Sequence, residues 1–278
     1  MNKTETQAML AAMESDNKKG AGSYWSPEAD ENQIRFLPPV KANGEVLPYH
    51  HHKVHWIDGT PYECIAQTFT DKNGKVHEAE ACPACKTSKK FYKIGEKDSE
   101  EREIAYDLSG KDRYIFRIVD RAKDENSVTT PEFYEVGPTI YKKFFAVMKS
   151  GRYGNIVHPK EGRDFIIDKQ GTGRRTNYDN SAPDPNVTRV FDNDEDLIKV
   201  LTSIKGMPYT DLIEFPTAAA IKEAVEEYLS DGVSENSAAV TAAPKPKAVV
   251  ARVEVVETPA KAEEADTDAV DSILAEFE

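Results

Sequence analysis

The sequence predicts a mainly β chain with added helices, an α+β class, in which the strands build an elaborated barrel rather than βαβ layers. Three observations lead there. Several short runs alternate apolar and polar residues at the strand period. Three other runs carry apolar residues at helical spacing and fall between or after those strands. No internal repeat is evident in 278 residues, a length that holds one large or two small domains with a real core.

Taken in chain order, residues 1–31 are polar and read as an N-terminal arm, with a short helix over 6–14 and a Gly-rich break at 18–23. The core, 32–231, opens with the strand Gln33-Ile34-Arg35-Phe36-Leu37. Residues 54–57 and 60–65 flank Asp58-Gly59, a strong two-residue hairpin turn. Further strands follow at 113–119, 131–136 and 164–168. Amphipathic helices are expected over 140–148, 194–204 and 217–229. Residues 232–259, rich in Ala, Pro, Val and Lys without either spacing, read as a flexible linker before a disordered acidic tail at 260–278.

The formal net charge is −13, but it is unevenly spread. From 254 to 278 nine acids face Lys261 alone, a net of −8, so the rest of the chain carries only −5. The overall acidity therefore does not exclude a nucleic-acid partner. Within the tail, Val270, Ile273, Leu274 and Phe277 stand at i, i+3, i+4, i+7, an apolar stripe suited to binding a partner protein. The first residues contain no apolar leader and nothing approaches a membrane span, which leads to an expectation of a reducing cytoplasm and no membrane partner.

The three cysteines, Cys64, Cys82 and Cys85, lie within 22 residues, and His50, His51, His52 and His55 stand just upstream. Cys82-Pro83-Ala84-Cys85 is a CxxC knuckle, whose two thiolates can bind one metal from a tight turn. Cys64 and one imidazole would complete a closed tetrahedron, the donor set of a single structural Zn²⁺. A redox CxxC would sit at a helix N-terminus after a buried strand, and the polar run His77-Glu78-Ala79-Glu80-Ala81 is not one. The hairpin register pairs Ile57 with Thr60 and His55 with Tyr62, placing Cys64 diagonal to His55 on one face, about 7–8 Å away. His51 shares that parity. The order of candidates for the fourth ligand is thus His55, His51, His77 and last His52. A metal subdomain is expected over about 48–92.

Between Ile140 and Tyr178 nine bases face three acids, a local charge of +6, with tyrosines interleaved. Arg113, Tyr114, Arg117, Tyr134, Tyr141, Lys142, Lys143, Arg174, Arg175 and Tyr178 are the candidate contacts. Cations that track phosphates and rings that stack on splayed bases are what single-strand binding without sequence preference requires. Taken singly, each of these residues fits a core ring or a solvated charge; the concentration is what points to a binding cleft.

The histidine and cysteine hairpin with Cys-Pro-x-Cys, preceded by Gln33-Ile34-Arg35-Phe36-Leu37-Pro38, resembles the single-stranded DNA-binding proteins of T-even-type tailed phages, the helix-destabilising replication proteins. The resemblance continues through 112–120, Phe133-Tyr134-Glu135-Val136-Gly137, Ile140-Tyr141-Lys142-Lys143, 162–167, Thr176-Asn177-Tyr178-Asp179 and the acidic end, 266–274. It covers most of the chain in order, the zinc motif and the acidic end being its specific parts. It implies an OB-fold barrel core with an inserted zinc-binding hairpin subdomain and a DNA cleft between them. It also implies a zinc histidine before the first cysteine across a Gly turn, which supports His55. An arm for self-association along DNA and a tail for replication and recombination proteins are further implications, in the cytoplasm of an infected bacterial cell. The arm departs from the family pattern: Asn2-Lys3-Thr4-Glu5-Thr6 offers one lysine and an acid where the family carries a basic cluster.

No phosphate-binding Gly loop, nucleophile elbow or HExxH pattern is present, so a non-enzymatic protein is expected. The competing readings are a zinc-ribbon adaptor for protein partners and a zinc-containing nuclease or primase fragment. The role expected from the residues and the resemblance together is to coat and protect single strands during phage DNA replication, recombination and repair.

Overall fold

The structure, a computed structural model, describes residues 24–28, 30–70, 74–123, 130–231, 273 and 277. The expected arm helix at 6–14, the linker and most of the tail lie outside the described residues. Among those described, the chain is α+β, with an antiparallel seven-stranded sheet and five α-helices. The strands are β1 (Asp30–Phe36), β2 (Tyr49–Ile57), β3 (Thr60–Glu63), β4 (Phe69–Thr70), β5 (Val76–His77), β6 (Lys111–Asp120), β7 (Glu132–Val136), β8 (Phe165–Lys169) and β9 (Ala182–Pro183). The helices are α1 (Pro83–Ile94), α2 (Glu100–Asp107), α3 (Pro138–Ser150), α4 (Asp194–Lys205) and α5 (Ala218–Asp231).

β6 is the hub. Its first half pairs with β2, from Val54↔Lys111 to Tyr49↔Phe116, and its end pairs with β1, Phe36↔Ile118 to Ile34↔Asp120. β7 lies along it too, from Tyr114↔Val136 to Ile118↔Glu132. Beyond β1 the order continues through β8 to β9, and β3 forms the opposite edge. Every pairing is antiparallel. β4 and β5 form a separate two-stranded ribbon.

Side chains alternate across β6 and so divide the interior. Phe116 and Ile118 face a cluster with Ile34, Phe36, Tyr134, Phe165, Ile167 and, from α3, Ile140 and Phe144. Val119 faces the other way, with Leu37, Val40, Val190 and the apolar side of α4: Leu197, Val200, Leu201 and Ile204. Ile273 and Phe277 pack against this second cluster. A third, smaller core joins Ile57, Cys64, Ile65, Cys82, Ala84 and Leu108 to Ile221 and Val225 of α5.

The expected strands and the helices near 140, 194 and 217 are present with small shifts of their ends, except that β2 begins five residues earlier than the expected 54 and so takes in His50, His51 and His52. The turn at Asp58-Gly59 has positive φ at both residues, 46° and 74°, the primed geometry that matches strand twist. The Cys-Pro-Ala-Cys segment is not an isolated tight turn: Cys82 caps α1 and Pro83 stands at its start. The sequence pattern does not announce α1 and α2. Their buried residues are Ala84 and Ser88 in one and Ala105 in the other, side chains too small to write an apolar stripe.

Candidate metal centre and nucleic-acid interface

The hairpin brings the metal candidates together in the predicted register, with Ile57 opposite Thr60 and His55 opposite Tyr62. Cys82 and Cys85 come from the cap and first turn of α1. The ligand atoms of His55, Cys64, Cys82 and Cys85 all lie within 4.8 Å of one another. Cys64 Sγ is 3.6 Å from Cys85 Sγ, and His55 Nε2 is 3.4 Å from Cys82 Sγ and 3.5 Å from Cys85 Sγ. A zinc tetrahedron with bonds of about 2.3 Å to sulfur and 2.0–2.1 Å to nitrogen has edges of about 3.5–3.8 Å. The four residues therefore fit one metal ion.

The surroundings agree with that use. His55 Nδ1 lies 2.8 Å from the Leu108 carbonyl, to which it donates, leaving Nε2 with the lone pair that a metal needs. His55, Cys64 and Cys82 are all buried, so a charge there is shielded from water. The three thiols are hydrogen-bonded to one another, and these contacts pull Cys82 down while pushing Cys85 up. The other histidines are elsewhere. His51 stacks on Tyr114 and meets Asp112 at 3.0 Å; His77 stacks on Phe69. His52 is buried between Glu63, 2.8 Å away, and Glu135, 3.2 Å away.

A second feature lies where β2, β6 and α3 meet. Tyr114 and Tyr141 are parallel, their centroids 3.6 Å apart and their planes 2° apart. His51 extends the stack on the Tyr114 side at 4.8 Å, and Phe145 on the Tyr141 side at 6.1 Å. The spacing of Tyr141 and Phe145 by one helical turn, and the pairing of His51 opposite Tyr114, place the four rings in one row. Tyr49 buttresses the row edge-on, its hydroxyl 3.1 Å from that of Tyr141. Phe145 is 51% exposed, unusual for a large apolar ring, and His51 is also open to solvent.

The ten candidates from the basic, aromatic region separate into groups. Tyr114 and Tyr141 form the centre of the row. Arg113, on the same strand, reaches Glu135 at 3.5 Å while remaining partly exposed. Lys142 is exposed beside Tyr141, and Lys143 donates to the Asp179 carbonyl at 2.6 Å. Tyr178 lines a cavity of about 210 Å³ with Gly137, Thr139 and Ile140, and Arg174 and Arg175 stand in the short turn just before it. Two candidates are corrected. Arg117 is fully buried in a two-pronged pair with Glu45, 2.6 and 2.8 Å, against the Tyr209 ring. Tyr134 is 3% exposed, in edge contact with Trp25 inside the first cluster. Both lie where their face of the sheet is covered, Arg117 by Tyr209 and Tyr134 by Trp25, a distinction that composition does not carry.

A further exposed group carries no mark in the sequence reading. Lys86, Lys89, Lys90 and Lys93 repeat at i, i+3, i+4, i+7 on α1 and are all exposed. Beside them Tyr92 and Tyr106 are 61% and 69% exposed, with Arg102 and Lys111 over their rings at 3.8 and 3.4 Å. The two tyrosines and Arg102 line an apolar cavity of about 370 Å³ between α1 and α2. The lysine spacing is the available signal, and it becomes visible once 83–94 is known to be helical.

A row of stacked rings, exposed at its His51 and Phe145 ends and bordered by cations, is the combination of side chains that single-strand binding uses. The family comparison agrees: the model described as gp32 DNA binding protein like matches residues 28–229, and the chain belongs to this family. No curated protein matches the chain. Among the described residues no helix is long and apolar enough to cross a membrane.

Proposed function

We propose that this protein coats single-stranded DNA without sequence preference and without catalysis. The observation that carries the reading is the row His51, Tyr114, Tyr141 and Phe145, on which bases would stack successively. Arg113, Lys142, Lys143, Arg174 and Arg175 would meet the phosphates and release counterions, with Tyr178 near the smaller cavity. Lys86, Lys89, Lys90 and Lys93, with Tyr92 and Tyr106, extend the same combination onto the cysteine-bearing part of the chain. The matched family supports a DNA partner.

In this reading the sheet is an OB-type barrel, supported by the way β6 serves β2, β7 and β1 in turn. His55, Cys64, Cys82 and Cys85 hold one structural Zn²⁺, supported by tetrahedral edge lengths and the His55–Leu108 hydrogen bond. The metal would bind the β2–β3 hairpin to α1 and leave no open coordination position, so its chemistry is structural. The arm at 1–31 would mediate self-association along DNA. The acidic tail would recruit replication and recombination proteins, with phage replication and repair in the host cytoplasm as the setting.

The test is tyrosine fluorescence on titration with oligo(dT). Stacking predicts quenching in the wild-type protein and a much smaller signal in the Tyr114→Ala, Tyr141→Ala double variant. No quenching and no binding in the wild-type protein would refute the reading.

A further inference from the structure

The second core cluster contains two residues that the sequence places far from the rest. Phe277 is 5% exposed among Leu37, Val40, Val119, Val190, Phe191 and the apolar side of α4, and Ile273 packs partly buried against the same group. Lys205, at the end of α4, places its ammonium 5.9 Å from the Phe277 ring centroid. The two tail residues are spaced i, i+4, as one face of a helix requires. An otherwise acidic terminal segment thus seats its two described apolar side chains in a slot of the core.

The position of the slot matters. Val119 belongs to the face of β6 opposite Phe116 and Ile118, the face covered by α4 rather than by α3. The row of Tyr114 and Tyr141 lies with α3 on the other side. A tail seated by Phe277 is therefore anchored on the back of the sheet, away from the stacked rings. The 41 residues between α5 and Ile273 are long enough to bridge about 35 Å even at random-coil dimensions, so the anchor is within reach of its own core.

We propose that the slot between α4 and the Leu37–Val40 segment is a receptor site for the chain's own terminal Ile273 and Phe277, held by apolar burial. The same two side chains are two of the four in the tail's apolar stripe, so a tail docked in the slot and a tail held through that stripe by a partner protein exclude each other. This inference does not depend on DNA binding.

The experiment uses a fluorescein-labelled peptide of residues 262–278 and two full-length chains, the wild type and the Ile273→Ala, Phe277→Ala variant. In the wild type the tethered tail, at millimolar effective concentration, should occupy the slot and weaken peptide binding by about ten-fold or more relative to the variant. A peptide carrying Phe277→Ala should not bind. Raising the salt to about 0.5 M should leave the contrast intact, because apolar burial is not screened. A full-length Glu276→Gln, Glu278→Gln chain, with its apolar anchors kept, should still exclude the peptide. Equal binding to wild type and variant, or binding abolished by salt, would overturn the proposal. Concentration-dependent dimerisation of the wild type that the double variant loses would also overturn it, by making a second copy the occupant.

Discussion

Replacing His52 with glutamine tests the electrostatics that join the β2–β3 hairpin to the rest of the sheet. The ring of His52 is 1% exposed, with Nδ1 2.8 Å from Glu63 on β3 and Nε2 3.2 Å from Glu135 on β7. Burial alone would depress the imidazole, but the carboxylates of Glu135 and Glu63 overcome it and raise the pKa from 6.5 to about 9. At about 1.36 kcal/mol per unit, that rise corresponds to at most about 3 kcal/mol, which the burial that raises the Glu63 carboxyl offsets in part. Because the folded value lies above the unfolded one, the stabilisation is fully present below about pH 6.5. It declines as the pH rises and is lost above about pH 9. Urea unfolding followed by circular dichroism, with metal held constant, should show His52→Gln less stable by up to about 3 kcal/mol at pH 6. The charge-dependent part of that deficit should vanish by about pH 10. A difference that stays constant across this range would refute a charged His52.

Four further outcomes are expected. Cys82→Ser should lose its metal by elemental analysis and loosen the small core of Ile57, Ile65, Leu108, Ile221 and Val225, seen as an earlier first phase of thermal unfolding. Tyr114→Ala or Tyr141→Ala should each weaken oligo(dT) binding by about 1–3 kcal/mol with little loss of fold, whereas Tyr134→Ala should cost stability by about 3 kcal/mol or more in denaturant titration. Neutralising Lys86, Lys89, Lys90 and Lys93 to glutamine should lower the slope of log affinity against log salt by up to about 3, at about 0.7 per phosphate contact. Gly162→Ala should destabilise by about 2 kcal/mol, because a Cβ there would collide with Arg35 Nη2 and approach the His158 and Ile156 carbonyls to 2.5 Å, disturbing a buried arginine; denaturant midpoints will show it.

How much of this is legible in the sequence varies with the size of the side chains that report burial. β1, β6, β7 and β8 are readable because Ile, Phe, Val and Tyr alternate along them, and α4 because Leu197, Val200, Leu201 and Ile204 mark its inner side. The hairpin register follows from Asp58-Gly59, and with it the placement of His55 against Cys64. α1 and α2 bury alanine and serine, so their periodicity leaves little trace. The cysteine pair consequently sits in a helical turn that spacing alone renders as a simple knuckle. Residue type singles out Tyr114 and Tyr141 but not the ring row, because His51 and Phe145 join them only through strand pairing and one helical turn. Arg117 and Tyr134 show the converse: a residue type suited to DNA can be committed to the interior, and what covers that stretch of the sheet, Tyr209 over Arg117 and Trp25 against Tyr134, decides which.

The central claim is that stacked rings and surrounding cations select single strands. Affinities for oligo(dT) and for a duplex of equal length, measured over a series of salt concentrations, test it most directly. The account predicts tighter binding to the single strand throughout, falling steeply with salt as counterion release requires, and a preference that shrinks in Tyr114→Ala, Tyr141→Ala. Equal affinity for duplex and single strand at moderate salt, unchanged by those substitutions, would contradict it.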